Sequence, residues 1–393
     1  MNRTEAKVTA VLSLIQALRM LGMFMILPVF SLYARDLPEG ATPAQVGWAI
    51  GLYGLVQAVL QIPFGMISDR LGRKPVIVFG LLLFAAGSWL AGATPDIHWI
   101  MLGRAIQGAG AVSGAVSALL ADVTRVQVRT QAMAFMGIGM GLSFIIALVV
   151  GPILSGWIGV NGIFELTGWL ALLAVPVVLF AIPSVPRTAM VPGSLRRVIG
   201  DAQLLRLDGG IFLLHMMMTA LFIAAPHAIE ETLGIPGRLH WHVYLPVLLI
   251  SVLLVFPMIR KIEARGRIKQ AFVGAVALLG VALLLAAAGY HTHIGLYAAL
   301  LLFFIAFNFL EGSLPSLISR RAPLQQKGAA LGVYASSQFL GGFCGAKLGG
   351  YALGHWGTGG VFAATALLSL LWLTFAIGLA PLPHGNDAHE PST

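Results

Sequence analysis

Charge is what this chain has least of. Lys, Arg, Asp and Glu make up 10% of its 393 residues, while 58% are hydrophobic. A soluble domain carries about 25% charged residues, so the shortfall excludes a water-soluble globular protein. There is one cysteine, Cys344. No intrachain disulfide can form, and a lone thiol in an apolar stretch does not favour a metal site. The short alternating segments of a membrane β-barrel are missing. So are a nucleophile–base pair, a phosphate loop and metal-ligand spacing, and nothing points to an enzyme. His240-x-His242 supplies too few ligands for a metal. Gly108-x-Gly110-x-x-x-Gly114 follows no strand and is not a dinucleotide fingerprint.

What is present is a succession of apolar runs, each long enough to cross a hydrocarbon core about 30 Å thick. Twelve spans are expected, at about 8–34, 44–67, 75–95, 98–121, 130–156, 161–183, 209–230, 241–260, 270–290, 294–319, 327–353 and 357–381. The first follows the charged start MNRTEAK and is too long for a signal-peptide core, so it reads as a retained span. The longest connection, PSVPRTAMVPGSLRRVIGDAQLLRL from Pro183 to Leu207, is rich in Pro, Gly and Arg like a surface linker. The expected fold is therefore all-α and membrane-integral, with twelve transmembrane helices in two pseudo-symmetric six-helix bundles. The first bundle is 1–183, the linker 184–207, the second bundle 208–383 and a short tail 384–393. The halves echo each other: Asp69-x-x-Gly72-Arg73 follows span two, and Glu263-x-x-Gly266-Arg267 follows span eight.

The few cations are unevenly placed. Of 24 Lys and Arg, Arg35 and Arg238 fall on the side opposite the N-terminus, and Arg19, Arg104 and Lys347 fall within spans. All others lie on the N-terminal side, which puts both termini in the cytoplasm. The net charge of +9 thus orients the chain against anionic lipid and is not a nucleic-acid patch. Lys347 is expected to snorkel toward the outer interface. Glu230, Glu231, His240 and His242 are expected in a solvated outer loop.

One turn concentrates charge: Gly65-x-x-x-Asp69-Arg70-x-Gly72-Arg73-Lys74-Pro75. Gly72 permits a tight reversal and Pro75 suits the first turn of span three. Orientation alone would need the cations but neither Asp69 nor the glycines, so the stretch reads as a structural latch. It closely resembles the cytoplasmic signature of the major facilitator superfamily. Gly103-Arg104-Ala105-Ile106-Gln107-Gly108 resembles the span-four motif of proton-driven members. Leu21-Gly22 followed by Pro28 resembles the drug/proton antiporter branch. In span five, Ala147-x-x-x-Gly151-Pro152-x-x-Ser155-Gly156 departs from the antiporter pattern, with Ala147 and Ser155 in place of two glycines. Gly137, Gly139 and Gly141 give that span a narrow face for close packing. LRMLGMFMILPV, IGLYGLVQAVLQIPFG, RTQAMAF, FNFLEGSLPSLIS and GVYASSQFLGG are similar to the YajR-like group of bacterial efflux transporters. That group carries an extra C-terminal domain, and here PLPHGNDAHEPST stands after the last span, so no role of that domain carries over. The resemblance implies that Asp122 faces the latch cations and that spans one, four, seven and ten surround a central cavity.

Polar groups inside spans are costly: a central charge costs at least about 2.5–3.5 kcal/mol, so each should face a cavity or a partner. Arg19, Arg104, His215 and Glu311 fall on spans one, four, seven and ten. His215 and Glu311 both sit roughly 10–12 Å inside, at 1.5 Å per residue, and are expected to meet as a proton-coupling pair, with Arg104 and Asp122 assisting. Arg19, Met23, Gln57, Gln61, Asn308 and Glu311 are the expected substrate cavity. Gly65, Asp69, Arg70, Gly72, Arg73, Lys74 and Asp122 are the expected cytoplasmic gate, joining the bundles on the inner side. The reading is a monomeric, proton-coupled exporter of small amphipathic compounds in the bacterial inner membrane. Its energy source is the proton gradient, with no cofactor and no metal. Rival readings are a sugar or metabolite exporter on the same fold and a non-coupled facilitator or receptor.

Overall fold

A computed structural model describes residues 1–183, 198–322 and 326–380. Residues 184–197 of the expected linker and the tail 384–393 lie outside the described residues. Among the described residues every regular element is helical: α1 (Arg3–Phe24), α2 (Phe30–Arg35), α3 (Pro43–Leu71), α4 (Arg73–Gly92), α5 (Ile97–Ala109), α6 (Ser113–Val123), α7 (Val126–Ala181), α8 (Ala202–Leu233), a 3-10 turn (Gly237–Leu239), α9 (Trp241–Ala264), α10 (Ile268–Gly289), α11 (His293–Arg321) and α12 (Lys327–Ala376). Ten segments among them are long and apolar enough to cross a membrane. Two of these, α7 and α12, each contain a kink, at Gly159 and Gly357. Split there, the segments are twelve spans.

Three boundaries differ from expectation. Span one is interrupted: α1 ends at Phe24 and α2 begins at Phe30, with Pro28 between. Proline lacks the N–H that would continue the ladder and clashes with the preceding turn. Span four breaks after Ala109, where Gly110 leaves helical geometry (φ −72°, ψ 44°). Span seven starts earlier than expected, within the proposed linker, because Asp201 caps it: its side chain accepts from Gln203 N at 2.8 Å and Leu204 N at 3.1 Å. His215 is therefore thirteen residues into α8, roughly 20 Å along the axis from its first residue.

The duplication is written in the backbone. Among the described residues six glycines adopt positive φ: Gly40, Gly72, Gly159, Gly234, Gly266 and Gly357. They pair by position between the halves. Two pairs share one separation, 194 residues (40 to 234, 72 to 266), and the third stands at 198 (159 to 357). A side chain at these φ values would press its Cβ on the backbone, so both halves turn at the sites where only glycine is unstrained.

The halves meet chiefly where span two packs on span eleven. A Cβ on Gly47 would stand 2.5 Å from Ala346 O, one on Gly51 2.9 Å from Phe343 Cδ2, and one on Gly54 2.7 Å from Phe339 O. Small residues let two backbones approach when lipid offers no hydrophobic drive. All three lie toward the start of α3, on the membrane face opposite the N-terminus. Toward the N-terminal face the same helices part: among the described residues nothing stands within 4 Å of a Cβ built on Gly65 or Gly332. The close packing expected of Gly137 and Gly141 in span five is not found either, for their Cβ positions are open and Gly139 meets Ser13 only at 3.9 Å. The close approach in span five is at Gly151, against the backbone of Met25. The molecule is thus closed on the far face and splayed on the N-terminal face.

Candidate functional site

The charged turn closes within the first half. Gly72, at φ +102°, is both the end of α3 and the start of α4. That reversal carries Arg73 back over the last turn of α3, where its guanidinium pairs with Asp69 and donates to Ser68 Oγ at 2.7 Å. Arg73 Nε also donates to Asp122 Oδ2 at 3.0 Å, so Asp122 does face a latch cation. Lys74 Nζ donates to Leu179 O at 3.2 Å, whereas Arg70 is exposed. Beside them Arg125 forks onto Glu5, at 2.8 Å to Oε1 and 3.1 Å to Oε2. The Glu5 carboxylate holds the Arg125 guanidinium above its usual pKa, first by hydrogen bonding and then by charge. In this conformer the gate residues brace spans two, three, four and six to one another, and the ion pairs named here do not reach the second half.

Arg19 and Arg104 are both buried in the first half. Arg19, 3% exposed, donates to Tyr53 Oη at 3.0 Å, Gln57 Oε1 at 3.1 Å and Ser113 Oγ. Gln57 donates on to Gln61 Oε1 at 3.1 Å, as their one-turn spacing implied. Arg104 donates to Gln107 Oε1 at 2.8 Å and to the Ala49 carbonyl at 3.3 Å, and lies 4.8 Å over the Tyr53 ring. Among the described residues neither meets a carboxylate, and the structure does not bring Arg104 or Asp122 to His215 or Glu311. Tyr53, missed in the sequence, is the hub: its hydroxyl serves one guanidinium and its π face the other.

His215 and Glu311 do approach. Glu311 Oε2 stands 3.9 Å from His215 Nδ1. Between them sits Gln338 of span eleven, which sequence reasoning did not single out. Its Nε2 lies 2.8 Å from His215 Nε2 and donates to Glu311 Oε1 at 3.3 Å. The other ring nitrogen, Nδ1, faces the carboxylate. His215 is buried, whereas the Glu311 side chain keeps 31% of its surface accessible. Even so, both facing atoms are sealed: Glu311 Oε2 has no hydrogen-bond partner among the described residues, and His215 Nδ1 has beside it only the backbone of Ile211, one turn back. The two polar atoms thus face each other across a gap one proton transfer or a small rotation would close.

The rest of the expected cavity is not assembled with this pair. Asn308 spends its amide on Ser251 Oγ of span eight at 2.9 Å, because it stands three residues before Glu311 and is turned toward α9. Met23 is packed against the core. Gln57 and Gln61 are occupied in the first-half network.

On the far face both outlying arginines touch the opposite half. Arg35 Nη1 pairs with Glu230 Oε2 at 2.9 Å. Arg238 stacks its stem where a Cβ on Gly156 would be 3.0 Å away. Glu230 and Glu231 lie within α8, not in a loop, and His240 is buried with Nε2 2.9 Å from Ile235 O. Lys347 reaches the first half: its Nζ sits 3.8 Å over the ring of Trp48, near the outer end of span two. Among the described residues no cluster of His, Cys, Asp and Glu could hold a metal.

Comparison with known proteins agrees with this architecture. The model of the Major Facilitator Superfamily matches residues 12–346 and 207–393. The chain is 43% identical over 390 residues to the inner membrane transport protein YajR of Escherichia coli (strain K12), covering 98% of this chain and 86% of that protein. It is 28% identical over 374 residues to the multidrug resistance protein MdtH of Yersinia enterocolitica, covering 90% of each. Among solved structures, a mutant of the nucleoside transporter NupG superposes with a TM-score of 0.73 at 15% identity, over 95% of this chain and 99% of that one. A bacterial homologue of the human lysosomal transporter Spinster, inward-facing and unoccupied, gives 0.72 at 14% identity, over 96% of both chains.

Proposed function

Because the chain belongs to the Major Facilitator Superfamily, a family of membrane transporters and not of enzymes, we propose that it is a proton-coupled exporter of small amphipathic compounds working by alternating access. The observation that carries coupling is the His215–Gln338–Glu311 constellation. It is a carboxylate and an imidazole held by one amide, with two facing polar atoms left unsatisfied deep in a membrane span. A buried ionisable pair of this kind is costly and stays only where it functions. Protonation of Glu311 removes its charge and loosens its claim on Gln338, which stands next to Phe339 on the seam with Tyr53. The proton state and the seam between the halves thereby share one helix, span eleven.

Placing the N-terminal face in the cytoplasm, as the distribution of cations indicates, makes this conformer inward-open. The outer side is held by the glycine seam and the Arg35–Glu230 pair. The charged turn then waits, braced within the first half, to receive the second half when the inner side closes. The name of MdtH supports a multidrug-type cargo, and the name of YajR supports the inner membrane. The driving force would be about 2.3 kcal/mol per proton per 100 mV.

The test uses everted vesicles with an imposed proton gradient, a pH-reporting dye, and ethidium and tetraphenylphosphonium as probes. Addition of a transported probe releases protons from the lumen. No proton movement with these two probes, or with a wider panel of dyes and sugars that do accumulate, would show transport without coupling.

A further inference from the structure

Deep in the second half lies a row of polar atoms the fold does not satisfy. Asp208 is 4% exposed and Tyr334 6% exposed, and neither Asp208 Oδ1 nor Tyr334 Oη has a hydrogen-bond partner among the described residues. Trp372 Nε1, packed over Gly210, is likewise unpartnered. Leaving such a group unpaired is costly, more so if it is charged. Their register is not random. Asp208 precedes His215 by seven residues on α8, two turns on the same face and roughly 10.5 Å nearer the N-terminal face. Tyr334 precedes Gln338 by four on α12, one turn on the same face. The phenol and the Asp208 carboxylate thus lie on the helix faces that carry Gln338 and His215, on the side of that pair toward the N-terminal face.

We propose that Asp208 and Tyr334 form a proton relay between the Glu311–His215 pair and the N-terminal face, with Asp208 as a second proton-carrying carboxylate. The proposal rests on the proton-coupled reading above. A hydroxyl both donates and accepts. The Glu311 O–H bond breaks as its proton goes to the phenol oxygen. The phenol's own proton passes to the Asp208 carboxylate, and rotation of the hydroxyl restores Tyr334. One proton moves from Glu311 to Asp208 and nothing else changes. The charged groups around the mouth are engaged elsewhere: Arg206 and Arg321 donate to the carbonyls of Gly378 and Ala380, and Asp201 caps α8 while acting on Arg321. The Glu311 side chain keeps 31% of its surface accessible, while its sealed Oε2 faces His215. The proton thus has a way out that an occupied substrate cavity would not block.

The test needs no substrate. The full chain is reconstituted in phosphatidylethanolamine–phosphatidylglycerol vesicles. Infrared difference spectra across a pH titration follow the C=O stretch of protonated carboxyls. The wild type is expected to show two buried carboxyl bands. Asp208→Asn removes one and moves the midpoint of the other to lower pH, because a like charge has gone. Asp208→Glu restores a second band at a displaced frequency, which separates loss of the carboxyl from loss of folding. Tyr334→Phe keeps both bands but slows decay of the Glu311 band after a pH jump at least about tenfold. Two bands surviving in Asp208→Asn, or an unchanged rate in Tyr334→Phe, overturn the relay alone. Two bands surviving in Glu311→Gln overturn the coupling role of Glu311.

Discussion

The two halves of this molecule share a backbone plan and treat buried polarity in opposite ways. Within its spans the first half buries two cations, Arg19 and Arg104, whose named partners are neutral: hydroxyls, amides, helix carbonyls and an aromatic face; its buried anion, Glu5, lies at the N-terminal face against Arg125. Both terminal nitrogens of Arg19 are used in the span network, and of that side chain Nε alone is left without a partner among the described residues. In the second half Asp208, His215 and the partly accessible Glu311 lie within spans, and each leaves an atom unsatisfied. A satisfied buried network rigidifies; an unsatisfied one has somewhere to put a proton or a water. The contrast assigns the first half the role of a stiff frame and the second the role of the responsive element. Guanidiniums suit the frame because they stay charged at any physiological pH.

The strongest way to break this comparison is Glu311→Gln. It should abolish probe-driven proton movement in vesicles while the protein still folds, since the amide keeps the contact with Gln338. Retained coupling would mean that the second half is no more responsive than the first. Next is Arg19→Ala, which strands Tyr53 Oη and Gln57 Oε1. Each costs about 1–3 kcal/mol when buried and unpaired, so a marked loss of thermal stability in detergent is expected. Arg19→Lys should recover only part of it, for one ammonium cannot reproduce the fork. A variant as stable as the wild type would deny Arg19 its bracing role. Gly47→Leu is expected to shift the conformational balance by about 1–3 kcal/mol through overpacking. Spin labels across the far face should then read longer distances, with the N-terminal face drawing together. The smallest effect belongs to Arg35→Ala. Its pair with Glu230 is 49% and 38% exposed, so removal should change the same distance distribution by only about 0.2–1 kcal/mol, and less in high salt. An effect larger than that of Gly47→Leu would make the ion pair, not the glycine seam, the main closure of the far face.

Much of the site was legible before any coordinates. His215 and Glu311 stood out because ionisable groups in apolar spans are rare, and Asp122 fell opposite Arg73 as the family motif implied. Gln338, Tyr334 and Tyr53 gave no such signal, since uncharged polar residues are common in helices and their partners lie on other spans. Asn308 misled for the same reason. Its spacing to Glu311 was correct, but α11 presents it to Ser251. His240 was read as solvated because a residue near a span end has no sequence mark that tells water from a neighbouring helix.

By itself the sequence determined that twelve apolar spans cross a bilayer, that the halves repeat, and where each half must turn. Those follow from run length, from the cost of bare backbone in lipid, and from glycine's freedom at positive φ, all of which are local. Tertiary structure alone decided which face is closed, which partners the buried cations and acids find, and that span eleven carries both the seam and the amide between His215 and Glu311. These depend on how helices distant in the chain pack, and an apolar span packs on lipid or protein with nearly the same residues.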